Sequence, residues 1–357
     1  MININKKIKY LHIFPKSFFF LSYFKMIEKH FDLDEHCFVL TKRIHDVKID
    51  DLAEFGNVID TDLLTESQMY RHIKGIIKKS NKIFLHNLPN SRRLRLFFIL
   101  NKKESIKLHW IIWGADLYQK RKSMIGNRFH ACLLNRINYY VTCVRGDYEI
   151  ASGKYNCKAI YEHTFYPYLL NASLIEEVNK IKRLPNDSIN ILVGNSADAS
   201  NEHVEVFNLL KKRENQKLRV ICPLTYGDGA YRRRVIEEGF SLFGENFLPI
   251  TTHLEGESYV SLLSEVDVAI FNHKRQQAMG NIITLLAMGK TIYLRDKIAT
   301  WTVVEDVDLY VRRTEDILSI PDERLLISER ESILNVKRTK EAFSEANCIK
   351  SWFEIFE

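Results

Sequence analysis

Short apolar runs of strand length alternate with longer segments of helical period through the first half of the chain. The runs at 8–14, 37–40, 83–88, 108–113, 139–144 and 160–165 predict strands, and 17–31, 66–79, 91–103 and 123–137 predict the helices between them. Residues 171–188 break the rhythm with a helical pattern and then Lys182-Arg-Leu-Pro-Asn-Asp-Ser188, which reads as a linker. Afterwards the alternation resumes, with strands at 189–193, 218–222, 247–250, 268–271, 291–294 and 309–311 and helices at 201–213, 229–239, 256–265 and 280–288. Such alternation predicts mostly parallel sheets covered on both faces. The expected fold is therefore α/β, with two Rossmann-like domains, 1–170 and 189–357, facing across a cleft. Ligands of open parallel sheets bind beyond the carboxyl ends of the strands, so residues just after strands carry most weight.

The length of 357 residues suits two cores, and 46% hydrophobic with 11% aromatic residues excludes a disordered chain. Charge changes the picture more. Residues 1–170 hold 28 Lys and Arg against 16 acids, and 171–357 hold 24 against 29, so the halves carry +12 and −5. Between Arg71 and Arg128 fifteen basic residues face only Glu104 and Asp116, which predicts a surface that meets anions. The six cysteines have no CxxC spacing and are expected as reduced, buried thiols. No apolar run reaches the roughly 18 residues of a membrane span, and the N-terminus lacks the order of a signal peptide. A cytoplasmic protein, soluble or peripheral, is expected.

Four stretches carry candidate chemistry. In Gly194-Asn-Ser-Ala-Asp-Ala-Ser-Asn-Glu-His203 a strand turns at a glycine and enters a helix with Ser200 or Asn201 as N-cap. Free N–H groups there, with Asn195, Ser196, Asn201 and His203, would grip phosphate. After the strand at 268–271, Lys274, Arg275, Gln276 and Gln277 precede Gly280 and Asn281 at a helix start, a combination suited to a diphosphate. Tyr226, in Thr225-Tyr-Gly-Asp-Gly229, is placed to stack on a base or ribose. In the first half, Asp116 follows the strand at 108–113 as candidate general base or acceptor orienter, with His86 second and Asp147 at an equivalent strand end.

Asp-x-Asp pairs at Asp32/Asp34, Asp60/Asp62 and Asp306/Asp308 lack a site context, so no metal is expected. Arg92, Arg93 and Arg95 with Phe97 and Phe98, and the basic segment 119–129, suit a helix on anionic lipid headgroups. No nucleic-acid motif accompanies them.

Trp110-Ile-Ile-Trp-Gly-Ala-Asp-Leu-Tyr118, Val144-Arg-Gly-Asp147, the run from Ile191 to His203, and Arg275-Gln-Gln277 with Gly280 resemble glycosyltransferase family 56 over nearly the whole chain. The resemblance implies a GT-B fold with the nucleotide sugar held by the second domain. It also implies a polyprenyl-linked acceptor held by the first, with Trp113, Gly114, Arg145 and Asp147 as its contacts. The reaction implied is transfer of 4-acetamido-4,6-dideoxygalactose (Fuc4NAc) from dTDP to an undecaprenyl-diphosphate-linked saccharide, as in enterobacterial common antigen synthesis. It would run without metal or other cofactor, by a peripheral protein on the cytoplasmic face of the inner membrane. One position departs from the family: Ala278 stands where the family has glycine. Another nucleotide sugar or acceptor on the same fold, or a non-catalytic basic protein binding lipid or nucleic acid, are the alternatives.

Overall fold

Along Tyr10–Pro15 (β1) the side chains separate by chemistry: Leu11 and Ile13 enter an aliphatic core, while Tyr10, His12 and Phe14 meet aromatic rings on the opposite face. β1 lies inside a parallel sheet with His36–Thr41 (β2), Val58–Asp60 (β3), Lys82–His86 (β4), Leu108–Ile111 (β5), Tyr139–Val141 (β6) and Ile160–Glu162 (β7), in the order β3-β2-β1-β4-β5-β6-β7. The aliphatic face is buried by Glu66–Lys79 (α2), Arg92–Leu100 (α3) and Met124–Leu134 (α6). Phe18–His30 (α1) packs on the aromatic face. Single turns at Lys102–Ser105 (α4) and Ala115–Tyr118 (α5) and the helix Arg145–Lys154 (α7) complete the connections. The helix α2 starts where Thr65 and Gln68 cap each other reciprocally.

The computed structural model describes residues 8–42, 56–118, 123–180, 188–213, 217–254 and 256–357. The chain forms two units, Met1–Tyr168 with Glu345–Glu357, and Leu169–Ser344. The second has a sheet of Ile189–Val193 (β8), Leu218–Pro223 (β9), Phe247–Ile250 (β10), Val268–Phe271 (β11), Thr291–Leu294 (β12) and Arg312–Arg313 (β13), ordered β10-β9-β8-β11-β12-β13 with every pairing parallel. Its helices are Ala172–Asn179 (α8), His203–Lys211 (α9), Gly229–Phe243 (α10), Gly256–Ser264 (α11), Met279–Ala287 (α12), Trp301–Asp306 (α13) and Glu329–Ala342 (α14). In both sheets the strand order reverses once, between β1 and β4 and between β8 and β11, and these are the switch points where parallel sheets bind ligands.

Three boundaries differ from the sequence reading. The last helix, Glu345–Phe356 (α15), belongs to the first unit, not to a domain running 189–357. It lies on the aromatic face, where Trp352 and Phe356 are buried, and Lys82 Nζ and Tyr10 Oη donate to its last carbonyls, Ile355 and Phe356, at 2.6 and 2.7 Å. The expected linker 171–188 contains α8, a helix that packs on α11 and α12 within the second unit; residues 181–187 lie outside the described residues. The strand expected at 309–311 pairs only from Arg312, because Tyr310 exchanges hydrogen bonds with the Asn335 side chain of α14 instead of with β12. Of the cysteines, Cys37, Cys222 and Cys348 are buried as expected, but Cys132 and Cys157 are exposed.

Candidate functional site

In the second unit the two polar stretches identified from sequence leave adjacent strands, β8 and β11, on either side of the switch point. Their side chains interlock. Gln277 Nε2 donates to Asn195 Oδ1 at 3.0 Å and to Ser196 Oγ at 3.3 Å, and Ser200 Oγ donates to Gln277 Oε1 at 2.9 Å. Asn201, fully buried, accepts at Oδ1 from the Asn195 N–H at 2.9 Å and from His273 Nε2 at 2.8 Å. Asn195 Nδ2 reaches the hydroxyl of Tyr226, whose ring stays exposed. Gly194 lets the loop close at φ +68°, since a Cβ there would stand 2.5 Å from His203 Nε2 and 2.6 Å from Asn201 Oδ1.

This closure corrects the expectation of free N–H groups along 194–203. The N–H of Gly194 donates to Ile270 O, that of Ala197 to Tyr226 O, that of Ser200 to Asp198 Oδ1 and that of His203 to Tyr231 Oη. The predicted N-caps, Ser200 and Asn201, lie in a 3-10 turn capped by Asp198, and α9 begins only at His203 after Glu202 at φ +52°. The side chains of Asp198 and Asn201 take the N–H groups of Ser200 and Asn195, and Ile270, Tyr226 and Tyr231 take the others named, which fixes the loop. The groups left to meet a ligand come mainly from the other stretch.

Arg275 is only loosely engaged, 3.6 Å from Asp198 and bonded to the Gln276 carbonyl at 3.3 Å. Gln276 is buried beside it. Lys274 pairs with Glu202 at 2.5 Å on the surface, a contact of small net worth. The helix α12 then starts at Met279 with no side chain capping its first turn and no acid within it. A Cβ on Gly280 would meet nothing within 4 Å, so the space over this helix start is open. Asn281 bonds to the hydroxyl of Tyr259, which burial pushes above the ordinary tyrosine range. Burial also lowers His203 to about 4 and His273 to about 3, so both imidazoles are neutral donors and acceptors. His273 and Tyr259 escaped the sequence reading: His273 stands two residues past a strand and was open to discovery there, whereas Tyr259 lies inside α11 with no local signal.

In the first unit, Gly114 turns the chain out of the strand and into α5, bringing the Asp116 carboxylate back beneath it. Asp116 Oδ2 accepts from Trp110 Nε1 at 2.6 Å and Oδ1 from the Trp113 N–H at 3.1 Å. Burial raises its pKa to about 6 against those bonds. Asp147 is buried and accepts from Tyr118 Oη at 2.6 Å, while Arg145 pairs with Glu149 at 2.6 Å on the same helix. His86 is wholly buried with both ring nitrogens engaged, to His12 at 3.1 Å and to Tyr166 Oη at 2.6 Å. It is therefore not a base open to substrate. Tyr166 also accepts from Trp113 Nε1 at 3.0 Å.

The expected lipid-facing helix is corrected in part. On α3 the side chains of Arg95, Phe97 and Phe98 are buried, Arg95 by donating to the Pro89 carbonyl, and the exposed residues are Arg92, Arg93, Leu96 and Leu100. On the neighbouring α6, Met124, Ile125 and Arg128 are exposed, and residues 119–122 lie outside the described residues. Among the described residues no helix is long and apolar enough to cross a membrane, and no group of three His, Cys, Asp or Glu side chains is placed to hold a metal ion.

Solved structures share this architecture along nearly the full chain. The N-terminal domain of trehalose-6-phosphate phosphatase from Candida albicans is 11% identical with TM-score 0.71, covering 97% of this chain and 96% of that one. A glycosyltransferase from Rickettsia africae is 12% identical with TM-score 0.64, covering 98% of both chains. A UDP-forming trehalose-phosphate synthase from Burkholderia xenovorans is 11% identical with TM-score 0.66, again covering 98% of both. At such identities the likeness shows the fold alone, which is α/β of the GT-B class. The model of the 4-alpha-L-fucosyltransferase family, glycosyl transferase group 56, matches residues 58–357, and the chain belongs to that family.

Proposed function

We propose that this glycosyltransferase takes Fuc4NAc from its dTDP form, held by the second unit, and transfers it to an undecaprenyl-diphosphate-linked saccharide held by the first. The observation that carries the donor half is the switch-point site. Arg275, the uncapped start of α12 and the open space over Gly280 converge where the strand order reverses. A diphosphate seated there would replace the weak contact of Arg275 with Asp198 by a charge-assisted bond. The N–H groups of Gly280 and Asn281 would stabilise the charge that develops as the sugar leaves. Asn195, Ser196 and Gln277 orient one another and the loop, and Tyr226 offers its exposed ring to the base.

These donors supply the stabilisation a metal would otherwise give, so the reaction needs none; full turnover in excess chelator tests this. Asp116, with both oxygens committed to Trp110 and Trp113, acts as a positioning residue that fixes the Trp113 turn. The basic and apolar side chains exposed on α3 and α6, namely Arg92, Arg93, Leu96, Leu100, Met124, Ile125 and Arg128, suit the headgroup region of the cytoplasmic leaflet of the inner membrane.

Isothermal titration with dTDP, UDP and GDP tests the donor. Preference for dTDP is expected, with Arg275→Ala weakening its binding; equal affinity for all three, or tighter UDP binding, would overturn the dTDP assignment. Sedimentation with anionic vesicles tests the surface, and Arg92→Glu with Arg93→Glu should release the protein. Retention of that variant would place the lipid face elsewhere.

A further inference from the structure

Three histidines on adjacent strands form one hydrogen-bonded chain under α1 and α15. His36 on β2, His12 on β1 and His86 on β4 lie on the same face of the sheet, none more than 2% exposed. His36 Nδ1 meets His12 Nε2 at 2.9 Å, His12 Nδ1 meets His86 Nε2 at 3.1 Å, and His86 Nδ1 meets the Tyr166 hydroxyl at 2.6 Å. Tyr23 Oη stands 3.4 Å from His12 Nδ1, and the His12 ring is stacked between Phe38 and Phe84. Among the described residues no carboxylate or ammonium pairs with any of the three rings.

The direction of the chain follows from its outer end. The Trp113 indole can only donate, so Tyr166 oxygen accepts from it and can turn its own proton to His86 Nδ1. Neutral His86 then carries its proton on Nε2 and donates to His12, His12 donates from Nε2 to His36, and His36 is left with its proton on Nε2. Every link points one way, and the reverse set of tautomers satisfies the same four contacts. A chain with two such states passes a proton end to end without any ring becoming a buried cation.

We propose that Tyr166, through His86, His12 and His36, removes the proton of the acceptor hydroxyl during sugar transfer. The proposal rests on the glycosyltransferase reading above. The acceptor oxygen bonds to C1 of the sugar, the C1–O bond to the diphosphate breaks with its electron pair on the departing oxygen, and the acceptor proton passes to Tyr166. Tyr166 gives its own proton to His86 Nδ1, His86 gives the Nε2 proton to His12 Nδ1, His12 does the same to His36, and His36 releases its Nε2 proton to water. The chain resets when His36 takes a proton from solvent and Tyr166 gives one to water entering as product leaves. Tyr166 is the catalytic residue and the histidines are its relay.

The test combines two readouts on the full chain. In the 15N-histidine-labelled protein, couplings across the His12–His86 and His12–His36 hydrogen bonds, with all three rings neutral at pH 6–8, are expected; their absence overturns the relay. In transfer assays His12→Phe keeps the stacked ring and cuts the chain. We expect kcat to fall by about 10²–10³-fold with KM unchanged, and a curved dependence of rate on deuterium fraction to become linear. Tyr166→Phe, which loses one oxygen, should match it if His12→Phe folds poorly. Wild-type kcat in either folded variant overturns the proposal. Failure of wild type to transfer from any nucleotide sugar would instead sink the glycosyltransferase reading itself, and this role for the chain with it.

Discussion

The first unit is expected to lose stability in acid before ordinary carboxylates titrate. Burial holds His12 and His86 well below the usual histidine range and His36 at about 3, while each would take a proton near pH ~6.5 in the unfolded chain. A base whose folded pKa lies below its unfolded value contributes its full stability above the unfolded pKa and loses it as pH falls below that value. Each ring then costs about 1.4 kcal/mol per pH unit. Three rings give a slope of about 4 kcal/mol per unit, so at pH 5 the loss is about 6 kcal/mol, comparable to the whole stability of roughly 5–15 kcal/mol that a domain possesses. Urea unfolding between pH 7.5 and 5, followed by tryptophan fluorescence, reads this directly, because Trp110, Trp113 and Trp352 of the four tryptophans lie in the first unit. His36→Phe should lower the slope by about one third. An unchanged slope in that variant, or a first unit that loses less than about 1 kcal/mol by pH 5, would refute the burial of three neutral imidazoles.

Three further outcomes follow from single side chains. Ala278 adopts φ +61° at the start of α12. Ala278→Gly relieves about 1–2 kcal/mol of left-handed strain against about 0.4–1 kcal/mol of added unfolded-state entropy, so a rise of roughly 1–4 °C in the transition of the second unit is expected, and a fall would refute the strain. Arg275→Ala should weaken dTDP binding by about 10–100-fold, the worth of a charge-assisted bond, with unchanged affinity removing Arg275 from the diphosphate site. Asp116, raised to about 6 by burial, contributes stability that is full below about pH 4 and lost as pH rises through 6. Asp116→Asn therefore gains on wild type by roughly 2–3 kcal/mol between pH 4 and 7, and parallel pH curves in urea titration would contradict the buried carboxylate.

Most of the fold was legible because strands buried on both faces are apolar throughout and their spacing is local information. The misses have non-local causes. The strand β3 is three residues, Val58–Asp60, too short to announce a period. The helix α15 docks through Trp352 and through Lys82 and Tyr10, which lie some 270 or more positions earlier, so nothing near it in sequence names its unit. Helix α3 read as a basic, aromatic surface helix, yet both of its phenylalanines and Arg95 are buried. Composition reports what a helix carries, and only its packing decides which face is wet.

The sites divide along the same line. Asn195, Ser196, Arg275 and Gly280 stood out as polar or small residues after strands, and the structure brings them together because β8 and β11 are neighbours although 74 residues, with two strands among them, intervene in sequence. What the residue types could not reveal is that the 194–203 run spends its polar groups on the fold, on its own turn and on Tyr226, Tyr231, His273 and Gln277, since that depends on Gly194 admitting His203 and Asn201 beneath the turn. The histidine chain is the stronger case. His12, His36 and His86 are each a lone polar residue in an apolar strand, and in isolation each reads as a core imidazole. Only the order β2-β1-β4 sets them side by side, so a row of hydrogen bonds that runs across the sheet is a property of topology, invisible to any window that moves along the chain.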